Sequence, residues 1–138
     1  MVDTGGVSGT QESIDRIVGE FVDGTAHVRG AVLGSADGHP LAASIDDLAC
    51  DASSVAAMAA AAVGLSTQLA RVATDARTAN THVRSAGAQV WVLDVGRVAT
   101  LTVYAEPDGD PAAIATAAQR TTARLVEALT PDREVGAD

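Results

Sequence analysis

Lysine is absent from this 138-residue chain: all nine basic residues are arginine, and they face eighteen acidic ones for a net charge of −9. A phosphate-gripping lysine is therefore impossible. Aromatics are scarce too, with only Phe21, Trp91 and Tyr104. A nucleic-acid binder combines a basic patch with stacking aromatics, and neither is here. The acidity argues against docking on anionic lipid and suits a protein that meets basic or neutral protein surfaces. Cys50 is the single cysteine, which excludes an intramolecular disulfide and a thiolate metal cluster. Beside an Ala-rich helix it reads as a small buried hydrophobe. The opening MVDTGGVSGT has neither the basic region nor the apolar run of a signal peptide, so cytoplasmic residence is the expectation.

What the chain does have is a long stretch without charge. Residues 52–70, ASSVAAMAAAAVGLSTQLA, lie between Asp51 and Arg71. Val55, Met58, Ala62, Leu65, Leu69 and Val72 recur at steps of three and four, which predicts a helix with these residues as its inner stripe. A surface helix carries charge on its other side. This one has Ala56, Ala57, Ala60, Ala61 and Gly64 there, small side chains that let another backbone approach. The reading is a helix buried on two faces, one against its own domain and one against a second copy of the chain. Insertion in a membrane is disfavoured, because Ser53, Ser54, Ser66, Thr67 and Gln68 interrupt the run and alanine drives insertion weakly.

The other elements follow from periodicity and punctuation. Residues 1–10 read as a disordered tail and residues 11–23 as a helix, with Ile14, Ile17, Val18, Phe21 and Val22 on one face. Residues 28–35 and 41–44 read as strands joined at Asp37-Gly38, a type I′ hairpin signal. Asp51 or Ser53 caps the long helix, and Asp46, Asp47 and Asp51 complement its dipole. Strands over 81–86, 88–95 and 98–105 form a meander whose polar first member is an edge. Asp110-Pro111 starts a last helix, which Pro131 ends before a loose tail at 131–138. The fold class is α+β, order α-β-β-α-β-β-β-α, in one domain over 11–130.

Catalytic signatures are missing. His27, His39 and His82 show no metal-ligand spacing, and HExxH, GxGxxG, GxxxxGK and GxSxG do not occur. The three aspartates before the long helix lack the ligand spacing of a calcium loop. No convergent polar groups or aromatics mark a pocket. The expectation is no enzyme, no catalytic residue, no cofactor and no metal. Arg71, Arg77 and Arg84 are the notable cations; an arginine finger is conceivable for one of them, and ordinary surface charge is the simpler reading.

The segments RGAVLGSADGHPLAAS, AAMAAAAVGLSTQLARV and VWVLDVGRVATLTVYAEPDGDPAAI resemble the roadblock/dynein light chain family in its bacterial branch. The resemblance covers about residues 12–129. It implies a profilin-like, five-stranded antiparallel sheet with the first and last helices on one face and the long helix on the other. It implies homodimers in which the meander's edge strand pairs with its mate and the long helices meet. The implied dimer residues are Ala57, Ala60, Ala61, Gly64, Gln68, His82, Val83 and Arg84. Members of this family are not enzymes; they bind and regulate Ras-like small GTPases or act as adaptor subunits. The surface expected to meet such a partner is Ala57, Ala61, Gln68 and Arg71. An adaptor of dynein-light-chain type and a small-molecule sensor are the alternatives. The arginine-only, Ala-rich composition suits a high-GC actinobacterial genome. The polar strand TNTHVRSAG departs from the aliphatic pattern expected at the dimer edge.

Overall fold

A computed structural model of the chain describes residues 2–46, 48–75 and 80–130, with side chains from residue 9 onward. The expected tail at 131–138, and Asp47, Ala76 and Arg77, lie outside the described residues. The elements are α1 (Val2–Gly24), β1 (Val28–Ser35), β2 (Pro40–Ser44), α2 (Ala52–Ala73), β3 (Thr81–Arg84), β4 (Gln89–Val95), β5 (Ala99–Ala105) and α3 (Pro111–Leu129). The order is the one expected. Helix α1 runs further toward the N-terminus than the sequence reading, through residues assigned there to a tail. Once a helix is nucleated each further residue adds a hydrogen bond, and no proline interrupts this segment.

The five strands lie in the order β2-β1-β5-β4-β3, every neighbour antiparallel. Alternation along each strand divides the sheet into two faces. On one, Leu33, Leu93, Leu101 and Val103 meet Ile14, Val18 and Phe21 of α1 and Ile114, Ala118 and Leu125 of α3 in the main core. Glu20 of α1 and Arg124 of α3 join at 3.0 Å over its outside. On the other face α2 lies across the sheet, and a smaller buried cluster holds Val32, Val55 and Ala56.

Glycine on β1 and in the turn after it sets how α2 sits. A Cβ at Gly34 would come within 2.9 Å of the Ala56 Cβ, and one at Gly38 within 3.3 Å of the Ala57 Cα. The helix therefore approaches the sheet closely and turns Ala56 and Ala59 inward with Val55. This departs from the expected inner stripe, of which Val55 is buried and the larger members are not. Met58, Leu65, Leu69 and Val72, read from the sequence as part of the inner stripe, are 62%, 61%, 66% and 86% exposed. The physical reason is clearance: a helix pressed onto a glycine-bearing strand has no room for large side chains beneath it. Beneath α2 the Thr100 and Thr102 hydroxyls are buried, and among the described residues neither has a hydrogen-bond partner.

The caps follow the sequence. The Asp51 carboxylate accepts the Ser54 N–H at 3.2 Å and its hydroxyl at 2.9 Å. Asp110 accepts the Ala112 N–H at 3.1 Å, with Pro111 in the first turn of α3. Two details differ. Asp37-Gly38 does close a hairpin, but positive φ occurs at Gly38 alone, and the Gly38 N–H donates to the Ser35 carbonyl at 3.0 Å. That is a type I turn with a left-handed glycine after it, not type I′. The Ser35 hydroxyl donates to Asp37 and, with His39 nearby, holds its carboxyl below the ordinary value. The type I′ geometry appears at the β4–β5 turn instead, with Gly96 at φ 60° and Arg97 at 65°. Cys50, expected to be buried, is exposed because it lies in the loop before α2 rather than on the helix.

Candidate docking surface

The long helix ought to be the best-covered element, since it carries no charge before Arg71, yet only Val55, Ala56 and Ala59 of it are buried. By length and composition alone it could cross a membrane; here it packs on the sheet through those three residues. Ala57, Ala61, Gly64 and Gln68 are on its outer side, as expected. Gly64 has open space where a side chain would point. Ala60 is half-buried and turned toward the Gly38 turn, because it lies one turn on from Ala56. Arg71 is exposed in the last turn, where a cation complements the helix dipole.

The second component is the edge strand. β3 pairs with β4 on one side only and closes one end of the sheet. Its partners settle which way each side chain points. The Thr81 hydroxyl is hydrogen-bonded to Ser66 of α2, so Thr81 faces the long helix, and so does Val83 two residues on. Val83 is 52% exposed. Leu69 follows Ser66 by one helical turn, so the large apolar stripe of α2 and the apolar side of β3 meet on one flank. His82 and Arg84 point to the other face. His82 stacks on Trp91 with ring centroids 4.1 Å apart, and its Nε2 lies 3.0 Å from the Gln89 Oε1. Gln89 is fully buried, and its amide donates to the Gly109 and Glu106 carbonyls at 2.9 and 3.1 Å. His82 thus belongs to a scaffold that pins the loop before α3. Arg84 is exposed at the strand end.

The flank therefore holds the predicted Ala57, Ala61, Gly64, Gln68 and Val83 and adds Met58, Leu65, Leu69 and Val72. Sequence reasoning missed the latter as surface residues. The signal available was Gly34 of GAVLGS on β1, which faces the helix and demands a small residue above it.

Away from this flank, His27, Glu106 and Asp108 bring their ligand-capable atoms within 4.8 Å of one another, which helix spacing alone does not reveal. All three are exposed, and the His27 Nδ1 is 3.0 Å from the Glu106 carboxylate. The arrangement is a solvent-exposed hydrogen bond between side chains. Burial, with the Cys50 thiol close by, raises the Tyr104 hydroxyl above its ordinary value.

Several solved structures share this architecture. MglB of Myxococcus xanthus aligns with a TM-score of 0.78 at 15% identity, over 86% of this chain and 89% of that one. The gliding protein MglB of Thermus thermophilus gives 0.76 at 18%, over 86% and 90%. A Roadblock/LC7 domain from Streptomyces avermitilis gives 0.62 at 20%, over 90% and 98%. At these identities the likeness establishes the fold. No curated protein sequence matches the chain. The sequence model of the Roadblock/LC7 domain matches residues 15–105, from α1 to the end of β5, and the chain belongs to that family.

Proposed function

We propose that the chain is a homodimeric, non-enzymatic cytoplasmic partner of a Ras-like small GTPase that modulates the GTPase's nucleotide cycle. One observation carries the reading: Met58, Leu65, Leu69 and Val72 of α2 stand open to solvent beside an edge strand whose outer side has no neighbouring strand among the described residues. Burying side chains of this size stabilises a contact by about 1.5–3 kcal/mol each. A contiguous apolar patch rimmed by polar residues marks an interaction surface. A second copy supplies the matching surface by symmetry, because a two-fold interface joins the same patch on both subunits. Pairing β3 with its mate also satisfies the edge backbone groups. Two paired α2 helices leave Ala57, Ala61, Gln68 and Arg71 as a shared platform for the GTPase. The partner class comes from the family resemblance, and the mechanism is a bias on the GTPase's switch conformation.

The test is GTP hydrolysis and nucleotide exchange by a Ras-like small GTPase of the same organism, with and without this chain. A changed rate that is lost in Gln68→Ala/Arg71→Ala supports the reading. Binding with unchanged rates shows an adaptor instead, and absence of binding removes the GTPase from the account.

A further inference from the structure

Between α2 and the β4–β5 hairpin, sharing Gln68 and Arg71 with the proposed docking platform, lies a cleft of about 360 Å³. That is within the range of small-molecule sites. Its polar groups include Gln68 and Arg71 from α2 and Asp94 and Arg97 from the hairpin; Val63 and Ala99 are among its apolar walls. The sequence gives no hint of convergence, since these residues come from elements far apart in the chain. The balance of charge is inverted relative to the molecule. The chain carries two acidic residues for every arginine, 18 against 9, whereas among the described residues the cleft holds two arginines and one aspartate. Asp94 and Arg71 both have partners already, the Asp94 carboxylate accepting the Arg97 backbone N–H at 3.1 Å.

Arg97 is the informative residue. It occupies the second left-handed position of the turn, at φ 65°, where glycine or asparagine carries less strain than a long side chain. Residues held in such conformations cluster at ligand-binding sites. Among the described residues its guanidinium has no hydrogen-bond or ion-pair partner. Guanidinium groups match planar carboxylates and phosphates through paired N–H donors.

We infer that this cleft binds a small organic oxyanion, a carboxylate or phosphate ester, held by the Arg97 guanidinium with its apolar body against Val63 and Ala99. The probes are phenyl phosphate, benzoate and inorganic phosphate, titrated into the full chain by calorimetry and by melting at constant ionic strength. Phenyl phosphate or benzoate is expected to bind saturably and more tightly than inorganic phosphate, and which of the two binds better identifies the head group. Arg97→Gly is expected to weaken binding at least tenfold while the unliganded protein melts at the same or a higher temperature, because glycine relieves the left-handed strain. If Arg97 serves the turn alone, that variant binds as the parent does, and the inference fails. It fails equally if neither organic anion gives a saturable response. No GTPase enters the experiment, so a negative result leaves the docking reading in place.

Discussion

The two faces of the sheet are built by opposite rules. Toward α1 and α3 the chain places Val18, Leu33, Leu101, Ile114 and Leu125, all 1% exposed or less, and closes the layer by itself. Toward α2 it places Gly34, a small cluster of Val32, Val55 and Ala56, and two threonine hydroxyls without partners among the described residues, while Met58, Leu65, Leu69 and Val72 of the helix point away from the sheet. A chain of this length completes one core with its own helices. On the other face it spends its largest apolar groups on the outside of the covering layer. The first face holds the fold together; the second leaves large apolar side chains in solvent, and it is the face we propose meets another molecule.

That contrast can be broken by mutation. The largest effect within one subunit is expected in the sealed layer. Leu101→Ala leaves a cavity between β5 and the two helices and should cost about 2–5 kcal/mol, read from urea unfolding at fixed protein concentration. An equal truncation at Leu69, which is 66% exposed, should cost a single subunit less than about 0.5 kcal/mol. If the two truncations cost the same in a monomeric state, the faces are not different in kind. Gly34→Val comes next. Its new side chain meets the Ala56 Cβ, which a Cβ alone would approach to 2.9 Å, so α2 must lift from the sheet at a cost of about 1–3 kcal/mol. A smaller change of opposite sign is expected from Thr102→Val. Removing a buried hydroxyl without a partner should raise stability by about 1 kcal/mol, and a loss of that size instead would show that the hydroxyl is satisfied in solution.

Element order, both helix caps and the edge status of β3 were legible in the sequence, because each rests on local chemistry. Asp51 and Asp110 cap wherever a helix follows them, and the polar THVR run suits an edge. The orientation of α2 was not legible from its own residues. A stripe of large residues and a stripe of small ones are both compatible with a buried face, and the choice is made by Gly34 and Gly38 on another part of the chain. The Asp37-Gly38 turn shows the same limit on a smaller scale. The dipeptide marks the hairpin, while the Ser35–Asp37 hydrogen bond accompanies a turn type other than the one the pair alone suggests. The cleft lay beyond reach for a third reason: Arg71, Asp94 and Arg97 converge only once α2 is laid across β5.

The central claim, that the outward stripe of α2 is covered by a second copy, is tested most directly by sedimentation equilibrium of the full chain across micromolar concentrations, beside Leu69→Asp. The account predicts a dimer for the parent and a folded monomer for the variant, since the substitution places a charge in the interface and touches nothing buried within the subunit. A parent chain that stays monomeric and well folded at high concentration would contradict it.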